Sequence, residues 1–322
     1  MEAQYVLGID VGGTSVKIAV LSVEGNLLEK WNIPTDKANN GANVLKDISS
    51  SVDEHLSKLK LNKNQFIGAG IGVPGFINME KGMVDFAVNI GWKDYPIVRI
   101  LSECLDMPVA VDNDANLAAA GEYWQGAGTG ADDVILFTIG TGVGGGIIVK
   151  GDILHGVGGM GGEIGHVTVV PEGGAPCNCG KTGCLETVSS ATGIVRIANM
   201  EAEKNKESSL YKQKQEGIQL TTKNIFEAAA LGDQTADTVI EKAMYYLGLA
   251  AANIANVLNP QRIVIGGGVS AAGEQLLFPL RNHYEKFALD RVKLDSEFVL
   301  AELGNDAGVM GAAWLAKKYL KD

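Results

Sequence analysis

An apolar strand, a turn of Gly and Thr, and a second apolar strand occur twice in this chain, across residues 5–21 and again across 134–149. In the first copy Tyr5 to Ile9 leads into Asp10-Val11-Gly12-Gly13-Thr14, and Val16 to Leu21 follows. In the second, Val134 to Phe137 leads into a turn spanning Gly140-Thr141-Gly142-Val143-Gly144-Gly145-Gly146, and Ile147 to Val149 follows. Glycine lets backbone N–H groups come close to an anion, because no Cβ stands in the way. Two such turns predict two half-folds gripping one polyphosphate. The same pattern excludes two commoner phosphate sites. Gly140, Gly142 and Gly145 fit G-x-G-x-x-G, but the dinucleotide fingerprint needs a helix after its turn, and here Ile147-Ile148-Val149 continues as a strand. No GxxxxGK[ST] loop occurs.

The remaining pattern is α/β. Val44, Leu45, Ile48, Val52, Leu56 and Leu59 share one helical face, and Phe66 to Val73 reads as a buried strand ending at Pro74-Gly75. Val109 to Val111 is a short strand, and the Ala-rich stretch 115–124 is a helix capped by Asn or Asp. Residues 150–190 form a Gly-rich loop region and 191–258 are mostly helical. Arg262 to Ile265 is a strand ending in Gly266-Gly267-Gly268, and a last helix runs from Gly308 to Leu320. The 322 residues suit two domains, and no Pro/Ser linker separates them. The boundary is placed at 112–114, giving units of 1–112 and 113–302. The net charge of −11 argues against general binding to a phosphate backbone. No apolar run reaches the ~18 residues of a membrane span, and no basic leader precedes one. A cytoplasmic protein is expected.

Three clusters carry chemistry. His166, Cys177, Cys179 and Cys184 give H-x10-C-x-C-x4-C, and three thiolates with one imidazole complete tetrahedral zinc. A closed set of four ligands predicts a structural Zn2+, not a catalytic one. Glu163 and Glu186 flank this cluster among Gly, Ile and Leu, so both are expected in poorly solvated positions, as rigid acceptors for a hydroxyl-rich ligand. His166 can bind the metal through one ring nitrogen and offer the other to that ligand. Asp112-Asn113-Asp114 stands at a strand end and a helix start; one residue caps the helix, and one carboxylate could serve as a general base in an interdomain cleft. In the first turn Thr14 can donate to phosphate, whereas Asp10 would repel it unless a divalent cation lay between them. His55, His155 and His283 have no partner at ligand spacing and read as ordinary surface or loop histidines.

Asp10-Val-Gly-Gly-Thr14, Gly72-Val-Pro-Gly75, Asp112-Asn-Asp114, Thr138-Ile-Gly-Thr-Gly142, Glu163-Ile-Gly-His166 and Cys177-Asn-Cys-Gly-Lys-Thr-Gly-Cys-Leu-Glu186 occur in that order. Together they resemble the ROK family (repressor, open reading frame, kinase), from Tyr5 to the final helix. The stretch from Cys177 to Ala198 is most similar to the family's glucokinases of Gram-positive bacteria. The resemblance implies two actin-like ATPase (ribonuclease H-like) domains around a central cleft, with residues 303–322 packing back on the N-terminal one. It implies ATP-dependent phosphorylation of the glucose 6-hydroxyl with Mg2+, and Asp114 as the base. Gly75, Asn89, Asn113, Glu163, His166 and Glu186 would hold the sugar. Gly12, Gly13 and Thr14 would meet the phosphates from one side, and Thr138, Gly140, Thr141 and Gly142 from the other. Gly266, Gly267 and Gly268 would border the adenosine, Asp10 would act on Mg2+, and Lys17 ends the first motif where the family often has a basic residue. The family's habit implies a homo-dimer or homo-tetramer. Mannose, fructose, allose or N-acetylmannosamine remain alternative substrates, and a non-catalytic sugar sensor a further alternative. The family's repressors carry a winged helix-turn-helix before the first strand, and none is expected here because that strand begins by Tyr5.

Overall fold

The computed structural model describes residues 4–320. The first repeat folds as β1 (Tyr5–Val11) and β2 (Ser15–Ser22), paired antiparallel, and β3 (Leu27–Pro34) pairs antiparallel with β2. Val6, Leu7, Ile9 and Val11 are all buried, so β1 is covered on both faces, and Asp10 is the one charged residue in it. The helix α1 (Val44–Leu59) buries Val44, Leu45, Ile48, Val52 and Leu56 in the same core as Leu7, Ile9 and Ile18. β4 (Phe66–Val73) lies parallel to β1. A small sheet of β5 (Phe76–Asn78), β6 (Met83–Ala87) and β7 (Trp92–Tyr95) follows, then α2 (Ile97–Leu105) and β8 (Val109–Asn113), which lies parallel to β4.

The second half begins with α3 (Asp114–Gln125). β9 (Val134–Ile139), β10 (Val143–Val149) and β11 (Asp152–Ile153) form the second repeat and its edge. Past the long loop come α4 (Glu186–Ser189), α5 (Ala191–Lys204), α6 (Ser209–Gln215), α7 (Thr222–Ala230) and α8 (Gln234–Leu258). The chain closes with β12 (Arg262–Gly266), α9 (Glu274–Phe287), α10 (Asp290–Asp295), β13 (Glu297–Leu300) and α11 (Ala307–Tyr319).

The two large sheets have orders β3-β2-β1-β4-β8 and β11-β10-β9-β12-β13. In each, the first two pairings are antiparallel and the last two parallel. The repeat seen in two hairpins thus extends to two whole sheets of one topology, which is the actin-like α/β architecture. The last helix, α11, packs on α3, β1 and β4. Glycine makes this contact close. A Cβ on Gly70 would lie 1.8 Å from Ala312 O, and one on Gly311 would lie 1.7 Å from Leu117 O.

The second turn is shorter than the run of glycines suggests. Val143 to Gly146 already belong to β10. Gly146 is needed for packing, since a Cβ there would lie 2.6 Å from Ala119 Cβ on α3. The sheet β5–β7 gives no periodic signal, because strands of 3, 5 and 4 residues are too short to show alternation.

Candidate active site

The two turns share one hydrogen-bond plan. Gly12 N donates to Ser15 O at 2.9 Å, and Gly140 N donates to Gly142 O at 3.0 Å. The first glycine of each turn therefore spends its N–H on closing the hairpin. Among the described residues, the amides of Gly13, Thr14, Thr141 and Gly142 have no such partner and remain for an anion. Thr35 Oγ1 donates to Gly12 O and fixes the first turn, while Glu186 Oε2 accepts from Val143 N at 3.2 Å and fixes the second.

Between the two sheets lies a cleft of about 580 Å³. It brings together Asp10, Asp114, Thr138, Gly266, Gly267 and Gly268 from distant parts of the chain. Gly267 takes a positive φ of 82°, and a Cβ there would lie 2.5 Å from Ile139 N, so the backbone turn at this wall admits only glycine. The cleft lining also contains Lys17, Glu122, Ser270, Asn305 and Gly308. Gly75, Asn89, Asn113, Glu163, His166 and Glu186 lie outside that lining, as do the tips of both turns. Asn89 stands beside Gly13, 3.9 Å from the position of a Cβ there.

Asp114 is the first residue of α3, immediately after β8. Asn113 caps the helix by accepting from Ala115 N at 2.9 Å, and its amide donates to Gly75 O at 3.0 Å. Burial pushes the Asp114 carboxyl up to about 6, helped by the charges of Asp10 and Glu163, against an opposing hydrogen bond from Ala115 N. Asp10 is balanced by Lys17, whose Nζ stands 3.2 Å from Oδ2.

The four predicted metal ligands come together. One ligand atom from each of His166, Cys177, Cys179 and Cys184 falls in a group whose members all lie within 4.8 Å of one another. His166 Nδ1 is 3.5 Å from Cys177 Sγ, and Cys179 Sγ is 3.6 Å from Cys184 Sγ. Zn–S bonds of about 2.3 Å at tetrahedral angles give sulfur–sulfur edges of about 3.8 Å, so the spacing fits. His166 Nε2 points the other way, 3.8 Å from Glu163 Oε2. One expectation needs correction. Glu163 is not in a poorly solvated place; its side chain is 43% exposed. Glu186 is turned onto Val143 N, with its other oxygen 3.6 Å from Cys177 Sγ.

The three remaining histidines are not ordinary surface groups. His55 stacks on Trp31 and meets Glu29 at 2.8 Å. His283 is buried and meets Glu241 at 2.7 Å. His155 meets the buried Asp112 at 2.7 Å. Each partner is 26 to 43 residues away, beyond any local spacing. Glu122 was also missed. It is fully buried and accepts from Ala127, Glu302 and Leu303 amides, tying together the chain leaving α3 and the chain entering α11. A lone acid on an Ala-rich helix was its only signal. Lys37 was missed too; its Nζ lies 3.7 Å from the position of a Cβ on Gly13.

Among the described residues, no helix is long and apolar enough to cross a membrane. The chain is 54% identical to the glucokinase of Halalkalibacterium halodurans, over 99% of this chain and 96% of that protein. It is 36% identical to the glucokinase of Thermotoga maritima, over 98% of each. Its fold matches a ROK family glucokinase from Streptomyces griseus solved with glucose and AMPPNP, at a TM-score of 0.76 and 34% identity, covering 98% of this chain and 99% of that one. The profile of the ROK family matches residues 6–319, so with both glycine turns, the Glu163–His166 segment and the cysteine cluster inside that span, the chain belongs to the ROK family.

Proposed function

We propose that this chain transfers the γ-phosphoryl group of ATP to the 6-hydroxyl of glucose, giving glucose 6-phosphate and ADP, with Asp114 as general base. The observation that carries the reading is the position of Asp114. Its carboxyl, held near 6, opens into the same cleft as Thr138 and Gly266 to Gly268. A base of that strength is mostly ionised at neutral pH yet still takes a proton readily, which is the balance general-base catalysis needs. The kinship with glucokinases supports glucose as the sugar.

In this reading the free amides of Gly13, Thr14, Thr141 and Gly142 hold phosphate oxygens, and Thr138 adds a hydroxyl. Gly266, Gly267 and Gly268 flank the adenosine. Asp10 is the carboxylate that would face Mg2+, and Mg2+ bound with ATP would neutralise charge on the phosphates. Phosphoryl transfer depends on alignment and charge neutralisation more than on covalent help. Asn113, Gly75, Glu163, His166 and Glu186, with Asn89 nearby, orient the sugar. Asp114 then holds the 6-hydroxyl and accepts its proton as the O–P bond forms.

His166, Cys177, Cys179 and Cys184 would hold a structural Zn2+. Their four donors fill a tetrahedron, so the metal would stiffen the loop that carries Glu163 and Glu186 and take no part in the chemistry. We assign residues 1–112 and 113–302 to two lobes, with 303–322 returning to the first. A homo-dimer or homo-tetramer in the cytoplasm completes the proposal.

The test is ADP release with Mg-ATP and a panel of hexoses, run on the wild type and Asp114→Asn together. Turnover on glucose that disappears in Asp114→Asn supports both the reaction and its base. Turnover on another hexose would keep the mechanism and change the substrate. No turnover on any sugar, in folded protein, would overturn the kinase reading in favour of a sugar sensor.

A further inference from the structure

We infer that His155 is a positioning residue for the phosphoryl transfer, acting through a hydrogen bond to the buried Asp112. The inference rests on the proposed role of Asp114. Asp112 is the last residue but one of β8, two residues before Asp114, and is only 1% exposed. A buried carboxylate needs every lone pair engaged or it costs several kcal/mol. Asp112 Oδ1 accepts from Asn113 N at 2.7 Å and from Asn116 Nδ2 at 3.1 Å. Asp112 Oδ2 faces His155 Nε2 at 2.7 Å, and because a carboxylate only accepts, the imidazole Nε2–H donates.

His155 comes from the other half of the molecule. It opens the loop that runs from β11 to the 3-10 turn Ile164–His166. That loop touches the base-bearing junction a second time. A Cβ on Gly162 would lie 3.3 Å from Asn116 Oδ1. Within this loop Gly161 N also closes onto His155 O at 2.7 Å. So one end of the segment leading to Glu163 and His166 is pinned to Asp112, and Asp112 in turn holds the amide of Asn113 and the first turn of α3. Besides the packing of α3 on β10, this hydrogen bond is a further tie between the base-bearing junction and the segment that carries Glu163 and His166. Displacement by even ~1 Å can cost ~100-fold in rate, so such a tether bears on catalysis without touching substrate.

The test compares wild type, His155→Ala, His155→Gln, Asp112→Asn and the double variant His155→Ala/Asp112→Asn. Glutamine keeps an N–H donor close to the place of Nε2. Expected for His155→Ala are a fall in kcat of about tenfold or more and a rise in KM for the sugar, with KM for ATP within about twofold. His155→Gln should restore most of both. The double variant should lose little beyond the worse single variant, because the two residues act as one unit. General destabilisation would not separate the two KM values in this way. Equal kcat and sugar KM in His155→Ala and wild type would overturn the inference, and so would a His155→Gln as impaired as His155→Ala. If His155→Ala fails to fold, a folded His155→Gln with wild-type kinetics supports the tether, and a folded His155→Gln as impaired in kcat and sugar KM as a folded His155→Asn refutes it. Should wild type show no kinase activity, or Asp114→Asn retain it, the proposed function fails first, and the two failures are distinguishable.

Discussion

Asp114→Asn should make the protein more stable while sharply reducing its activity. The carboxyl stands near 6 in the fold against an ordinary value of 3.8. Each unit of difference corresponds to about 1.4 kcal/mol, so keeping Asp114 ionised at neutral pH costs the fold about 3 kcal/mol. The N-terminus of α3 favours an anion by only about 0.3–1 kcal/mol, so burial and the neighbouring acids win. The sign follows from the raised value. A carboxyl that binds its proton more tightly when folded adds stability below about pH 4, and that contribution is lost as pH rises through about 6. Asparagine is nearly the same shape, can still accept from Ala115 N, and carries no charge to bury. The variant should match wild type near pH 4, exceed it by about 1.5 kcal/mol at pH 5, and by about 3 kcal/mol above pH 7. At roughly 2 °C per kcal/mol, the melting temperature at pH 7.5 should rise by roughly 5 °C. Thermal melts of both proteins from pH 5 to 8 measure this, and the same samples should show a kcat loss of ~10²–10⁴. A variant no more stable than wild type at pH 7.5, or a gain that does not grow with pH, would refute the picture of a strained, buried base.

Wild-type kcat/KM for the sugar should rise with pH through about 6 and level off, as Asp114 of the free protein loses its proton; a pH–rate profile checks it. Purified protein should hold about one zinc per chain, and less than about half an equivalent in folded, active protein after dialysis against EDTA would count against the metal. Gly311→Ala should destabilise the fold by at least about 2 kcal/mol in urea unfolding, because its Cβ would collide with the Leu117 carbonyl at the crossing of α11 and α3. Lys37→Ala should raise KM for ATP roughly two- to fivefold and leave the sugar KM unchanged, since its ammonium reaches the first turn from an exposed position.

Much of the site could be read from residue order because its chemistry is local. The cysteines and His166 lie within 19 residues, and a loop that short can gather four ligands without long-range help. The hairpin turns are local for the same reason, and their repetition led to the two-sheet architecture. The helix of α3 and its Asn113 cap follow from residues that touch one another in sequence.

What sequence order could not convey depends on segments that meet only after folding. The glycines at 144–146 read as turn residues because sequence shows only that Cβ is missing. Packing is the reason it is missing: a Cβ on Gly146 would meet α3, one on Gly145 would meet Ile164, and one on Gly144 would meet Thr138 Oγ1. Asp114 is a plain carboxylate in the sequence; its raised proton affinity comes from burial and from Asp10, more than 100 residues away. His155 has no local partner, yet it reaches a buried aspartate 43 residues before it. Motif spacing determined which groups this protein has for chemistry, because local backbone geometry sets what neighbouring residues can do together. The packing of two sheets, α3 and α11 determined their strength and alignment, because desolvation and long-range charge exist only once distant segments share one cleft.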